Sequence, residues 1–162
     1  MKKIIILFLT LLISTNAFAA GSDSSSSGSS EQSMYDEGIK LVERAGKLEK
    51  KDKLEKAKKR YEKAQALLVK SNKKKPLQAN TLNYLGFTTR KLGDYENGEK
   101  YYLLGLEINP KHVGINEYLG ELYVATNRID LAKERLKILE SCNCEEYTEL
   151  KEIIDGTKKS KY

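Results

Sequence analysis

The stretch of sequence that decides the fold is NYLGFTTRKLGDYENGEKYYLLGLEINP, residues 83–110. Residues 117–140, EYLGELYVATNRIDLAKERLKILE, follow the same plan, and the tripeptide Tyr-Leu-Gly at 84–86 returns 34 positions later at 118–120. A fixed period of this length is typical of repeat proteins, in which each unit buries its apolar face against its neighbours. The two blocks therefore predict a stack of similar units.

Hydrophobic spacing predicts that each unit is a pair of helices. Apolar and small residues recur at helical intervals, and the alternation expected of a strand is absent. The expected helices cover residues 79–92, 95–108, 113–126 and 129–140. Gly93 marks the turn of the first pair, and Asn127 replaces it in the second because asparagine tolerates a left-handed backbone. The predicted fold class is all-α.

The placing of small and aromatic residues resembles the tetratricopeptide repeat (TPR), which has the same period. The matching residues are Leu82, Leu85, Gly86, Leu92, Gly93, Tyr95, Gly98, Tyr102, Gly105, Leu106 and Pro110 in the first block, and Leu119, Gly120, Tyr123, Asn127, Ala132, Leu136 and Leu139 in the second. The resemblance implies a right-handed superhelical stack of antiparallel helix pairs. Gly98 and Gly105 each cost a helix about 1 kcal/mol relative to alanine, which close packing is expected to offset. Thr89 stands where the pattern prefers Tyr, and Leu139 is an apolar residue where the pattern prefers Ala.

The TPR-like domain is expected to span residues 34–155, with a degenerate first repeat at 34–75, which makes about three repeats in all. Ala57, Tyr61 and Ala64 have the spacing of a second-helix core, after a helix that begins near residue 32. The segment GKLEKKDK, residues 46–53, is interpreted as an insertion that lengthens one or both helices.

Two regular repeats and a cap complete the predicted domain. The repeats cover residues 79–112 and 113–140, and a capping helix at 145–155 precedes a basic tail at 156–162. Stacks of repeats require such a cap because their last unit otherwise exposes an apolar face.

The first 19 residues have the layout of a secretory signal peptide. Lys2 and Lys3 precede an apolar run at 4–13, which is too short to cross a bilayer as a helix, and Ala-Phe-Ala follows at 17–19. Residues 1–19 are therefore predicted to be removed, which leaves no transmembrane anchor on a protein exported to a bacterial periplasm or secreted. The Ser-rich residues 20–33 are predicted to form a disordered linker.

Basic residues are concentrated in one part of the chain. Residues 47–75 contain twelve Lys and one Arg against four acidic residues, in a chain whose formal net charge is +6. One interpretation is an exposed helix surface solubilised by pairs such as Glu49–Lys53 and Glu55–Lys59. The other is attraction to an anionic surface or an acidic partner. Nucleic acid is not expected as a partner, because aromatic residues are not interleaved with these bases and the protein is expected to be exported.

No catalytic arrangement of side chains is evident in the sequence. His112 is the only histidine, and no Ser or Cys nucleophile has a base nearby. Phosphate-loop, zinc and nucleotide motifs are absent. The chain is therefore predicted not to be an enzyme and to need no cofactor or metal, with His112 on the surface of an inter-repeat turn.

Cys142 and Cys144 are the one reactive feature. In an oxidising compartment they can form a disulfide, and because one residue separates them we expect an unusual Cα separation, strain and easy reduction. Three interpretations stay open: a structural disulfide, a redox-active pair and a site for a soft metal such as Cu(I). A Cys pair followed by Glu-Glu-Tyr and a last helix also resembles small exported bacterial TPR proteins.

The concave face is the preferred functional site, because the first helices of TPR pairs line the inner surface of the stack. The candidate partner-binding residues are Asn80, Asn83, Phe87, Arg90, Lys91, Glu117, Glu121 and Val124. Those at 80–91 resemble TPR grooves that hold a peptide backbone or a terminal carboxylate through Asn amides and cations. Glu117 and Glu121 invert the charge, so the complete carboxylate-clamp pattern is absent.

These features predict a non-enzymatic exported scaffold or adaptor that binds a protein or peptide segment in its groove. The alternative hypothesis is a thiol-redox or copper-handling accessory protein that uses Cys142 and Cys144. Self-association of the stack is a third hypothesis, and a solvated helix face without a partner is the plainest interpretation of the groove residues.

Overall fold

The computed structural model describes residues 26–160, with side chains described from residue 30 onward. This range contains seven helices and no strand, which confirms the all-α prediction. The helices are α1 Ser26–Glu49, α2 Leu54–Lys74, α3 Ala79–Lys91, α4 Tyr95–Ile108, α5 Val113–Ala125, α6 Ile129–Leu139 and α7 Glu145–Ile154. The predicted signal peptide at 1–19, residues 20–25 of the predicted linker and residues 161–162 of the tail lie outside the described residues.

The first helix begins earlier than the sequence predicts. Because α1 starts at Ser26, residues 26–33 are helical and do not belong to a disordered linker. Side chains in the last turn of α2 explain the earlier start, because they form hydrogen bonds with residues in the additional turns of α1. Ser71 Oγ donates a 2.6 Å hydrogen bond to Glu31, which is buried, and Lys74 Nζ donates one of 2.7 Å to Ser30 Oγ.

The turns within the later pairs have the predicted backbone. Gly93 has φ +95 and Asn127 has φ 58, so both positions are left-handed, as expected from the exchange of Gly for Asn. Asp94 caps α4 by accepting a 3.1 Å hydrogen bond from the Asn97 amide. The four helices from α3 to α6 begin where the sequence predicts and end one residue before the predicted limit or at it.

The first hairpin is longer than the others, as the interpretation of residues 46–53 predicted. α1 has 24 residues and α2 has 21, against 13 in α3 and 14 in α4. Its turn, unmarked by Gly or Asn, contains Asp52 with φ 56.

The core of the second helix of this hairpin extends beyond the predicted triplet Ala57, Tyr61 and Ala64. A Cβ at Gly38 would lie 3.0 Å from Leu68 Cγ, so the residues that face the first helix there are Ala64 and Leu68. These two stand 34 positions before Gly98 and Tyr102 of the next repeat. The predicted core residues Ala57, Tyr61 and Ala64 are all buried as well, because the longer hairpin lengthens the core.

Small residues allow the helices to approach closely. A Cβ at Gly86 would stand 2.5 Å from the Tyr102 ring, and one at Gly120 would stand 2.5 Å from Leu150 on α7. Gly105 lies directly against Ile115. No larger residue fits at these contacts without displacing a buried side chain.

The odd-numbered helices form one continuous row. α1 contacts α3, α3 contacts α5 and α5 contacts α7, whereas in the described part of the chain the backbones of α2, α4 and α6 stay apart from one another. Because the odd-numbered helices lie close together and the even-numbered helices are spread apart, the row of odd-numbered helices forms the concave side. α7 occupies the position that the first helix of a further repeat would take. No helix within residues 26–160 has the length and apolar character needed to cross a membrane.

Candidate functional site: the concave face and its α1–α3 cleft

The predicted partner-binding residues differ in their exposure on the concave face. The buried ones are Asn83 (6% exposed), Arg90 (2%), Glu117 (4%) and Glu121 (0%). Phe87, Lys91 and Val124 are half-buried, and Asn80 is exposed. Val124 packs against the apolar cluster around Tyr102 and Leu119. The groove residues therefore do not form one open surface.

Arg90 joins α3 to α5. Its Nη2 lies 3.2 Å from Glu121 Oε2 in an ion pair whose two side chains have no exposed surface. Its Nη1 donates a 2.7 Å hydrogen bond to the Tyr118 carbonyl oxygen, and its guanidinium lies 6.0 Å from the ring centroids of Tyr102 and Tyr118. The Arg90 donors serve α5, which corrects the expectation that they face a ligand.

The C-terminal tail covers the concave side at Glu121. Ser160 Oγ lies 3.4 Å from Glu121 Oε2 and donates to it. Lys158 Nζ pairs with Glu149 on α7 at 2.7 Å. The tail therefore returns across α7 towards α5, and the charge inversion noted at Glu117 and Glu121 lies inside the protein.

Asn80 contacts the following repeat through His112. His112 Nδ1 accepts a 3.1 Å hydrogen bond from the Ile115 amide and caps α5, so Nε2 carries the proton and donates to Asn80 Oδ1 at 2.8 Å. Burial lowers the pKa of His112, which favours the neutral imidazole that this cap requires. His112, expected at the surface of a turn, is half-buried and structural.

Phe87 and Lys91 line an open cleft between α1 and α3. We call it the α1–α3 cleft; its volume is about 350 Å³, and its lining residues are Val42, Gly46, Glu49, Lys50, Tyr61, Phe87 and Lys91. The floor is largely apolar, and the charged groups stand around it. Of the predicted site residues, only Phe87 and Lys91 lie in this cleft.

Aromatic contacts fix the floor of the cleft. The centroids of the Tyr61 and Phe87 rings are 6.0 Å apart at an interplanar angle of 63°, and those of Phe87 and Tyr118 are 5.0 Å apart at 48°. Both distances fall within the range of favourable aromatic pairs. Phe87 is therefore held by rings on two sides and presents a preformed apolar surface.

Glu49 connects the helices that border the cleft. Its Oε1 pairs with Lys91 Nζ at 2.6 Å, and its Oε2 accepts a 2.9 Å hydrogen bond from the Tyr61 hydroxyl. Lys91 Nζ also lies 5.4 Å from the centroid of the Tyr61 ring. Burial, and then the nearby Glu49 carboxylate, raise the pKa of Tyr61, so its hydroxyl remains a donor. Lys50 is the exposed cation of the lining.

The contribution of α1 and α2 to this cleft is not among the features predicted from the sequence. Val42, Gly46 and Glu49 are spaced at i, i+4 and i+7, so they share one face of α1. That spacing was visible in the sequence, but residues 46–53 were interpreted only as an insertion. Tyr61 was expected in the core, and its ring does lie there while its hydroxyl reaches Glu49.

Cys142 and Cys144 form a disulfide between α6 and α7. Their Cα atoms are 5.2 Å apart, which is within the usual range, so the expected unusual separation is wrong. The left-handed backbone of Asn143, with φ 50, makes the compact turn between them. Among residues 26–160 there is no group of three or more His, Cys, Asp or Glu side chains that could hold a metal ion.

Two solved structures resemble the fold. The first TPR domain of Spaghetti (RPAP3), bound to the HSP90 peptide SRMEEVD, is 20% identical and has a TM-score of 0.53 over 76% of this chain and 94% of that one. The NMR structure of the first TPR domain of human RPAP3 is 21% identical, with a TM-score of 0.54 over 78% of this chain and 98% of that one. No family model and no curated protein matches the chain. At this level of identity the likeness shows the fold alone, a TPR-like stack of antiparallel helix pairs.

Proposed function

We propose that this chain is a non-enzymatic scaffold that binds a peptide or protein segment on its concave side, through the α1–α3 cleft. The observation that carries the proposal is an open cleft with an apolar floor on the side formed by the first helices of the pairs. The similar TPR domain with a bound peptide supports a peptide as the class of ligand. The proposed site lies towards the first repeat because Arg90 and Glu121 close the surface between α3 and α5.

The lining of the cleft indicates the kind of segment that it takes. Phe87, which is half-buried, offers apolar surface to one medium-sized side chain, with the buried Val42 and Tyr61 behind it. Lys50 adds an exposed positive charge at the edge. A segment in which an apolar residue adjoins an acidic one satisfies both features, with the apolar anchor supplying most of the binding free energy.

Gly46 allows a direct test because it lines the cleft and no atom lies within 4 Å of the position that its Cβ would take. Gly46→Leu adds a side chain that occupies the cleft, whereas Gly46→Ala adds one methyl group. Peptides are selected from a displayed library on the unmodified protein and titrated against both variants by fluorescence anisotropy. We expect Gly46→Leu to weaken binding by at least about tenfold and Gly46→Ala to change it by less than about twofold.

Helical circular dichroism and urea unfolding serve as controls, since both substitutions favour the helix. Peptides that bind Gly46→Leu as tightly as the unmodified protein would show that they use another surface, and the cleft would be dismissed. Asn83 and Arg90, the natural targets from the sequence, make poorer tests. Both are buried, so a loss of binding could not be separated from a loss of structure.

The proposed location follows from the predicted signal peptide: a bacterial periplasm or the medium outside the cell. Fractionation of cells that express the whole sequence tests this. Recovery of the unshortened chain only from the cytoplasm would count against export.

The alternative role for Cys142 and Cys144, in thiol redox chemistry or copper handling, stays a hypothesis. Thiol titration with and without Cu(I) separates it from the scaffold function. A disulfide that persists without binding copper or turning over would leave the scaffold as the sole function proposed. Self-association is likewise a hypothesis, for which light scattering over a concentration series is the test.

A further inference from the structure

The α1–α2 hairpin has a projecting end that the peptide cleft does not explain. We define the hairpin tip as residues 50–60, which comprise the turn and the first two turns of α2. The last turn of α3 contacts α2 at Tyr61, 5.4 Å from Lys91 Nζ, and at Gln65, whose Nε2 donates to Thr89 Oγ1 at 2.8 Å. Because α3 runs antiparallel to α2, the residues before Tyr61 continue past Lys91, the last residue of α3, by up to about 10 Å. Leu54, Glu55 and Lys58 border a hollow there with Leu92 and Gly93.

The hairpin tip carries positive charge without internal compensation. It contains seven Lys and Arg residues and two acidic residues, and all nine are exposed. In the described part of the chain, none of the seven cations forms an ion pair. The pairs expected of a solubilised helix surface, Glu49–Lys53 and Glu55–Lys59, are not formed, and Glu49 pairs with Lys91 instead.

Across the whole stack, positive charge is likewise concentrated in the first hairpin. Residues 26–75 contain fifteen Lys and Arg against eight acidic residues, whereas residues 76–160 contain eleven against fourteen. The first hairpin therefore has an excess of seven positive charges and the rest an excess of three negative charges. Such a molecule turns its first hairpin towards an anionic surface and its later repeats away from it.

An exposed apolar residue stands among these cations. Leu54, the first residue of α2, is 59% exposed, the largest exposure among the large apolar side chains described. The same hairpin has a depression of about 500 Å³, lined by Leu48, Lys56, Lys59, Arg60, Glu62 and Lys63. Lysine and arginine side chains are attracted to lipid phosphate groups. An exposed leucine can be buried at the boundary between head groups and acyl chains.

We propose that the hairpin tip binds the surface of a bilayer that contains anionic phospholipid, with its cations at the phosphates and Leu54 at the acyl boundary. A projecting tip can meet a flat surface, whereas it cannot surround an extended acidic peptide. Residues 50–60 contain no Phe, Tyr or Trp, so the tip has no ring on which a nucleic acid base could stack. The proposal does not depend on the peptide cleft.

Sedimentation with vesicles tests this proposal. The full chain is mixed with vesicles of phosphatidylcholine alone, and with vesicles of equal parts phosphatidylcholine and phosphatidylglycerol. We expect partition onto the anionic vesicles that falls as salt is added. The tip variant combines Lys51→Gln, Lys53→Gln and Lys56→Gln. We expect it to partition more weakly by on the order of a hundredfold, from about fivefold per cation removed.

The opposite end of α2 supplies matched controls. Lys70→Gln, Lys73→Gln and Lys75→Gln remove the same charge away from the tip, and this triple variant should partition nearly as the unmodified chain does. Leu54→Ser should weaken partition onto the anionic vesicles by about fivefold. Leu77, which follows the C-terminal end of α2, is 54% exposed, and Leu77→Ser should leave partition unchanged. The neutral vesicles report any contribution of the apolar run at 4–13.

Three results would overturn the proposal. The unmodified chain could fail to bind anionic vesicles. Both triple variants could lose binding equally, which would mean that net charge alone decides. The tip could bind polyglutamate or DNA but not vesicles, which would assign it to another polyanion. None of these results bears on Gly46 and the peptide cleft, because the tip variant leaves Lys50 in place.

Discussion

Glycines of this stack have opposite physical roles at different positions. Gly86 faces the buried Tyr102 ring, which a Cβ would approach to 2.5 Å, so hydrogen is the only substituent that fits. Gly46 lies inside α1 with no atom within 4 Å of its missing Cβ. At Gly46 the cost of glycine to the helix is not offset by packing, and the gain is the open volume of the α1–α3 cleft.

These two positions give opposite predictions for one substitution. We expect Gly86→Ala to lower the free energy of unfolding by about 1–3 kcal/mol, because Tyr102 is enclosed and must shift. Gly46→Ala should raise it by about 0.5–1 kcal/mol, because the helix gains propensity and no clash arises. Urea unfolding followed by circular dichroism measures both. Equal effects of the same sign would contradict the packing described for Gly86.

At the scale of the element, α4 and α5 each begin at a side chain that caps the helix, Asp94 and His112. α5 begins at a His112 imidazole that accepts from the Ile115 amide and donates to Asn80 on α3. One ring therefore caps a helix and links two repeats. Both functions require neutral imidazole with its proton on Nε2, since a protonated ring has no acceptor left for the amide.

The His112 cap predicts a dependence of stability on pH. Burial holds the pKa of His112 below the ordinary 6.5, so the unfolded chain binds a proton first as the pH falls. The stability that the neutral cap contributes is complete above about pH 6.5, declines below it, and levels off once the folded protein is protonated too. Urea unfolding across this range measures the decline. His112→Asn keeps a capping side chain without titrating, and an unchanged decline in that variant would assign the effect to other groups.

At the scale of the whole molecule, a few polar side chains join successive repeats. Gln65 on α2 donates to Thr89 on α3 at 2.8 Å. The Arg90–Glu121 pair joins α3 to α5 without exposure to solvent. Arg128 pairs with Glu99, at 2.8 Å, across the second and third repeats. Because each repeat of a stack contacts only its neighbours, these links act together with the apolar contacts between repeats to determine how cooperatively the repeats unfold.

The buried pair predicts a strong coupling between repeats. Arg90→Leu should destabilise the protein by about 3–5 kcal/mol, because Glu121 is left charged and buried, and Glu121→Leu should have a similar effect. The double variant should be less destabilised than either single variant, since neither charge remains. Urea unfolding of all four proteins gives the coupling energy. Additive losses would show that the two residues act independently.

Much of the fold could be predicted from the sequence, because the contacts of a repeat stack are encoded locally. Gly86 and Gly120, and the turn residues Gly93 and Asn127, recur 34 positions apart and correspond directly to helix approaches and turns. The first hairpin could be predicted only in part. The triplet Ala57, Tyr61 and Ala64 is buried as predicted, but a triplet of the same spacing follows one heptad later, at 64, 68 and 71, and that one lies 34 positions before Gly98, Tyr102 and Gly105.

The candidate site could be predicted far less well. A helix face can be identified from the spacing of its residues. Whether that face is exposed to solvent depends on which residues of other helices pack against it. The sequence suggested that Arg90 donates to a ligand. In the structure its guanidinium instead pairs with Glu121 and donates to the Tyr118 carbonyl oxygen. Lys91 lies at the cleft, yet its partner Glu49 is 42 positions earlier in the chain.

The sequence by itself determined that this protein is a stack of helix pairs, where its turns fall and which residues must be small, since each of these depends on neighbours at fixed short intervals. Only the tertiary structure decided which polar groups of the concave side are closed, where the α1–α3 cleft opens and how far the basic hairpin projects. These properties depend on the packing of helices whose side chains are far apart in the chain, and no local pattern records that packing.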